Sequence, residues 1–180
     1  MLYSHKELKK ILKSDYQIKK ALSNKQYYKI EDGIYSDIEF VNPLEVIAKK
    51  YPTAIFTLDS AFYYHNLTDV IPNHFFLATP RSYTRMKNDN IKQVFIPEEL
   101  FHFGTTKIEI ENTIINIYDK ERMLIELIRK KNIIPFDYYK EIINNYRKHL
   151  DEIDTYKLLE YISYYKNEQS LYETLQREVF

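Results

Sequence analysis

The pattern of apolar and polar residues predicts two short helices near the start of the chain. One follows a capping box over residues 4–7 and the other a capping box over residues 14–17. Their apolar stripes consist of Leu8, Ile11 and Leu12 in the first helix and Ile18, Ala21 and Leu22 in the second. Because almost no residues connect the two helices, we expect them to cross steeply, as in a helix-turn-helix.

A small β-hairpin is predicted directly after these helices. Asp32-Gly33 is a turn signal, since glycine readily adopts positive φ, and strand-forming residues flank it on both sides. Helix, turn, helix and hairpin form the layout of a winged helix-turn-helix in which the first of the usual three helices is absent. We expect this module to occupy residues 1–41 and a second domain to occupy residues 42–180.

The second domain is expected to be α+β, with a small mixed or antiparallel sheet followed by a helical C-terminal third. Asn42 and Pro43 open a helix that ends before Pro52, and Asp59-Ser60 is expected to cap another. We expect Pro80 to end a strand. The predicted strands cover residues 53–58, 75–78, 91–96, 107–111 and 113–118. From Asp119 onward, apolar stripes predict helices only.

The charge distribution points to a polyanion partner at one end of the chain. The 26 basic and 26 acidic residues cancel, but residues 1–30 carry eight lysines against Glu7 and Asp15, a net charge of +6. The chain has no cysteine, no run of 18 apolar residues and no signal-peptide pattern. We therefore expect a cytoplasmic protein without a membrane partner, a disulfide or a thiolate metal site.

If the N-terminal module binds DNA, its second helix should enter the major groove with its outward residues. Gln17 could pair with an adenine edge, although the second capping box competes for its side chain. Tyr16 could contact a phosphate or a thymine methyl group. The remaining contacts would come from lysines, chiefly to phosphates. The predicted DNA-binding residues are Lys13, Tyr16, Gln17, Lys19, Lys20, Lys25 and Lys29.

Groupings with catalytic chemistry are weak throughout the chain. Ser60, His65 and Asp69 are the residue types of a hydrolytic triad, but nothing places an oxyanion hole beside them. Glu109 and Glu111 resemble the acidic strand of a metal-dependent nuclease without its partner lysine. We expect no catalytic residue, no metal and no cofactor. The four charges of residues 119–122 are expected to be a helix cap with surface ion pairs.

Four segments resemble, in order, the AbiEi family of antitoxins from type IV toxin–antitoxin systems, which act in abortive infection and phage defence. They are KIEDGIY at 29–35, DSAFYYHNLTDVIP at 59–72, FLATPR at 76–81 and IYDKERMLIELIR at 117–129. The resemblance implies a transcriptional autorepressor that binds inverted repeats in its own promoter. It also implies an antitoxin that counters a nucleotidyltransferase-like toxin without a stable complex, and that is monomeric in solution.

Three arginines are candidates for antitoxic or phosphate contacts, namely Arg81, Arg122 and Arg129. Arginine after a strand or at a helix start can clamp a phosphate or pair with carboxylates, and the structural role is the stronger expectation. Two alternative functions stay open. One is a metal-dependent nuclease-like or phosphate-hydrolysing enzyme that uses Glu109 or Glu111. The other is a protein-interaction module whose basic helices dock an acidic partner.

Overall fold

The computed structural model describes all 180 residues and has the predicted α+β class, with nine α-helices and two small sheets. The strands are β1 (Leu2–Ser4), β2 (Tyr28–Glu31), β3 (Ile34–Ser36), β4 (Ile55–Phe56), β5 (Phe75–Pro80), β6 (Ile91–Ile96), β7 (Thr105–Ile110) and β8 (Thr113–Tyr118). The helices are α1 (His5–Leu12), α2 (Asp15–Ser23), α3 (Pro43–Lys50), α4 (Leu58–Tyr64), α5 (Glu98–Phe101), α6 (Lys120–Arg129), α7 (Phe136–Lys148), α8 (Thr155–Ser163) and α9 (Glu168–Glu178). None of the helices combines the length and the apolar composition needed to cross a membrane.

Contacts between residues divide the chain into two compact units. The first consists of residues 1–52 and 109–115, and the second of residues 53–108 and 116–180. Helix α3 thus falls in the first unit, whereas the sequence analysis assigned it to the second domain. The domain boundary at residue 41 stays a prediction.

The first unit is built on a three-stranded antiparallel sheet with the order β1-β3-β2. Side chains alternate between its faces, as the two-residue period of a strand requires. Leu2 and Ile34 pack with Val46 of α3, whereas Tyr35 on the other face packs with Leu8 of α1 and Ile18 of α2. The sheet therefore lies between the α1–α2 pair and α3.

The caps of α1 and α2 follow the sequence in part. Ser4 and Glu7 form the predicted capping box. Ser14 caps α2 by accepting from the Gln17 backbone amide at 3.2 Å, but the Gln17 side chain makes no reciprocal bond, so the second capping box is only half formed. Lys13 ends α1 in the left-handed region at φ 68°, which lets α2 start after one further residue.

The predicted hairpin of β2 and β3 is present, and β7 and β8 form a second hairpin. Gly33 turns between β2 and β3 at φ 80°, where a residue with a Cβ would be strained. Glu111 and Asn112 both have positive φ between β7 and β8, at 47° and 66°. Two consecutive residues with positive φ are typical of the tight turns that join twisted strands.

The other sheet is mixed, with the strand order β6-β5-β4-β8-β7. Strands β5 and β6 are parallel, β4 and β5 are antiparallel, and β4 and β8 are parallel. Pro80 ends β5 as its last residue, as expected, although the strand continues two residues past the predicted end at residue 78. One expectation is wrong here. Helix α4 starts at Leu58 with Thr57 as its N-cap residue, so Asp59 and Ser60 are inside the helix instead of capping it.

Helix α6 forms the centre of the second unit and packs against α4, α8 and α9. Its residues 121–128 are all buried, including Glu121, Arg122 and Glu126. Asp119 caps the helix as predicted, by accepting from the Arg122 backbone amide at 2.9 Å. The expected surface ion pairs are found in part: Lys120 pairs with the exposed Glu152, whereas Glu121 and Arg122 lie in the core.

The stability of the first unit should depend on pH through the Glu7 carboxyl group. A hydrogen bond from Lys49, followed by the Ser4 backbone bond, lowers the pKa of Glu7 from 4.5 to about 2. A carboxyl with a lowered pKa in the folded state stabilises the fold above its unfolded pKa, and this contribution is lost as pH falls through the folded value. The E7Q variant keeps a capping side chain but cannot titrate. Its free energy of unfolding in urea should therefore fall less steeply than that of the wild type below pH 4.5. Parallel slopes for the two proteins would contradict this assignment.

Candidate nucleic-acid interface

All seven predicted DNA-binding residues are exposed and belong to the first unit. Lys13 lies in the turn before α2, four of the others lie on α2, and the last two follow it. Tyr16, in the first turn of α2, is 72% exposed. The four α2 residues are Tyr16, Gln17, Lys19 and Lys20, while Lys25 comes just after the helix and Lys29 is on β2.

The outward position of these side chains follows from the apolar stripe of α2. Ile18 and Ala21 are buried, with 3% and 4% of their surfaces exposed, and Leu22 packs against the cluster that contains Leu8, Ile18 and Tyr35. The apolar residues of α2 follow the helical period and face the sheet, so the polar residues between them lie on the other side of the helix and face solvent. Packing on the sheet thus exposes the face of α2 that the sequence analysis assigned to DNA.

Most of the positive charge in this segment is not neutralised by ion pairs. Lys9 Nζ lies 2.6 Å from Asp15 Oδ2, and Lys29 Nζ lies 2.5 Å from Asp32 Oδ1. The hydrogen bond to Asp32 raises the pKa of Lys29. The other six lysines of residues 1–30 form no ion pair and are exposed: Lys6, Lys10, Lys13, Lys19, Lys20 and Lys25.

Gln17 lies on the exposed face of α2. Its backbone amide donates to Ser14 Oγ, but its side-chain amide has no hydrogen-bond partner in the chain. The competition with the helix cap that the sequence suggested therefore does not occur. A free glutamine amide can offer a donor and an acceptor together to adenine.

The three candidate arginines do not form one site. Arg81 is exposed after β5, and its backbone amide donates to the Ile96 carbonyl at 3.0 Å. Arg122 and Arg129 instead share the buried carboxylate of Glu126, with nitrogen–oxygen distances of 2.9 and 3.0 Å. Their role in phosphate or toxin contact stays a prediction.

The Arg122 guanidinium is enclosed by aromatic rings. Its side chain is 1% exposed, and its central carbon lies 3.8 Å from the centre of the Phe103 ring. Its Nε and Nη1 atoms have no hydrogen-bond acceptor, and the rings of Tyr118 and Tyr165 lie 5.2 and 5.3 Å from the guanidinium. Aromatic faces attract the cation and take the place of the missing acceptors.

Asp119, at the N-terminus of α6, binds two side chains of α8. Asp119 Oδ2 accepts from the Tyr161 hydroxyl at 3.0 Å and from Lys157 Nζ at 2.7 Å. Burial, together with the Asp119 charge, raises the pKa of Tyr161 to about 12. Gly104 is required beside them, because a Cβ there would lie 2.7 Å from Arg122 Cβ. These contacts join α6 and α8 to the loop before β7.

Three of the weaker catalytic candidates bind other groups of the chain. Ser60 Oγ accepts from the Phe76 amide at 2.8 Å, and His65 Nε2 donates to the Tyr118 carbonyl at 2.7 Å, so both side chains bind backbone groups. Glu109 is exposed, while Glu111 accepts from Asn42 Nδ2 at 2.7 Å. No three histidine or acidic residues are grouped closely enough to hold a metal ion.

Comparison of the chain with protein-family models and with curated proteins finds no match.

Two features of the fold that bear on the site were not predicted from the sequence, namely strand β1 with its pairing to β3 and the packing of α3 on the sheet. The packing of α3 could not be found from local signals, because Val46 is far along the chain from its partners Leu2 and Ile34.

Arg122 and Arg129 should differ sharply in their effect on stability. Removing a partner from a buried ion pair costs about 3–5 kcal/mol, whereas a partly exposed pair contributes about 0–1 kcal/mol. We therefore expect R122A to lose several times more free energy of unfolding than R129A, and R81A to be nearly neutral. Urea denaturation followed by circular dichroism measures all three. Equal losses for R122A and R81A would show that the enclosed guanidinium contributes nothing to folding.

Proposed function

We propose that this protein is a transcriptional autorepressor and antitoxin, with a winged helix-turn-helix in its first unit that binds inverted repeats in its own promoter. The observation that carries the DNA-binding half is the exposed, unpaired set of lysines on and around α2, with the free Gln17 amide among them. The proposal places the protein in the cytoplasm, as a non-enzymatic monomer in solution.

The arrangement of the first unit supports the winged helix-turn-helix. Strand β1 pairs with β3, so the sheet order β1-β3-β2 puts the β2–β3 hairpin at one edge as the wing. Helices α1 and α2 follow β1 and cover one face of the sheet. Helix α3 covers the other face, and in this proposal it substitutes for the first of the usual three helices.

In the proposed complex, α2 lies in the major groove with its N-terminal turn toward the bases. Gln17 binds an adenine edge, and Tyr16 contacts a thymine methyl group or a phosphate. Lys13, Lys19, Lys20 and Lys25 contact phosphates, which position the helix without reading sequence. Lys29 would exchange its bond with Asp32 for a phosphate.

The antitoxin half of the proposal rests on the resemblance of residues 59–72, 76–81 and 117–129 to the AbiEi family. The functional partner is then a nucleotidyltransferase-like toxin, countered without a stable complex. Arg81 and Arg129 are both exposed, whereas Arg122 is enclosed. Arg81 is the better candidate for a partner contact, because Arg129 is already bonded to Glu126.

Loss of one phosphate-binding lysine should weaken binding to all DNA sequences alike. For K19A we expect lower affinity for the promoter and for a scrambled duplex, with the slope of log affinity against log salt reduced by about one unit. Fluorescence anisotropy at several salt concentrations measures this. K166A is the matched control, since Lys166 is exposed and unpaired but belongs to the second unit.

Q17A should behave differently from K19A in the same assay. It removes a base contact and no charge, so it should reduce the preference for the promoter and leave the salt slope unchanged. If K19A, Q17A and K166A all bind the promoter like the wild type, the proposed face of α2 is not the DNA-binding surface.

The two halves of the function should be separable by mutation. A K19A/K20A variant should lose repression of a reporter under its own promoter and still restore growth to cells that express the neighbouring toxin gene. An R81A variant should keep repression. Loss of growth rescue by R81A would support a toxin contact at Arg81. Failure of the wild type to restore growth would reject the antitoxin half, and stable co-purification with the toxin would favour a protein-docking module.

A further inference from the structure

The second unit contains an apolar cavity of about 430 Å³. It lies where α4 begins and where the connection between α6 and α7 passes β5. Cavities of this size commonly hold small molecules, with apolar walls and a few polar groups that orient the ligand. Its apolar walls include Val70, Pro72, Phe76, Ile134 and Pro135.

Asp59 lines this cavity and has no partner in the chain. Its carboxylate forms no hydrogen bond and no ion pair, although the side chain is about half buried. Burial raises the pKa of Asp59, and Lys130, which lines the same cavity, forms no ion pair with it. A carboxylate in apolar surroundings is costly unless a cation or a hydrogen-bond donor meets it.

Tyr138 lines the same cavity but does not supply the missing partner of Asp59. Its hydroxyl oxygen is inaccessible to solvent and lies beside Thr68. Burial, followed by the Asp59 charge, raises the pKa of Tyr138, so the phenol stays protonated. Asp59 is therefore the group in this cavity that lacks the partner that proteins ordinarily supply.

We infer that this cavity binds a small organic amine, with its ammonium group against Asp59 and its apolar body against Val70, Phe76 and Ile134. The charge of the ligand supplies the cation that the chain does not offer to Asp59. This site is distinct from the lysines of the first unit and does not depend on the proposed function.

The test compares an amine with its neutral counterpart on the full chain. The probes are 2-phenylethylamine and 2-phenylethanol, which share an apolar body and differ in the charged group, titrated by calorimetry and saturation-transfer NMR at neutral pH. We expect the amine to bind more tightly than the alcohol. D59N should weaken amine binding about tenfold or more and leave alcohol binding unchanged, since a bond to a charged group is lost.

D89N is the matched control, because Asp89 is an exposed aspartate outside the cavity. D59N itself should raise the melting temperature at neutral pH. The raised pKa of Asp59 means that its ionised form destabilises the folded state once the pH exceeds the folded pKa. Equal affinity for amine and alcohol, no effect of D59N on amine binding, or no binding at millimolar concentration would each overturn the inference.

Discussion

The pairing of β1 with β3 is the interaction on which the first unit depends. It joins β1 to the hairpin and completes a sheet of three short strands with apolar side chains on both faces. The sheet must therefore be covered on both faces, by α1 and α2 on one side and α3 on the other. Because α2 uses its apolar stripe for this purpose, its lysines and Gln17 face solvent, and the packing that stabilises the unit also forms the proposed DNA-binding surface.

The second unit differs from the first because it has buried charged side chains at its centre. Glu126 accepts hydrogen bonds from Arg122, Arg129 and Tyr165, and aromatic rings enclose the Arg122 guanidinium. Burying these ions is costly, and the compensation comes from several elements at once. Residues 117–129, one of the segments on which the proposed antitoxin function rests, are therefore also the structural centre of this unit. A change in activity caused by a mutation there must be separated from a change in folding.

Local signals in the sequence were informative wherever neighbours along the chain decide the structure. The Ser4–Glu7 capping box, the Asp32-Gly33 turn and the helix start at Pro43 are all as predicted, and so is the exposure of the lysines on α2. The predictions failed where distant contacts decide. Arg122 was expected in surface ion pairs, but Phe103 and Tyr165 enclose it. Asp59 was expected to cap a helix, but it lies near Tyr138.

The most direct test of the proposed function is a titration of the full chain against the DNA upstream of its own gene, with a scrambled duplex of the same composition as the control. Fluorescence anisotropy at several salt concentrations would separate specific binding from charge attraction. The proposed function predicts tighter binding to the upstream DNA at every salt concentration, with affinity for both duplexes falling as salt rises. Equal affinity for the two duplexes would contradict it and would leave the lysines of α2 as a surface for another partner.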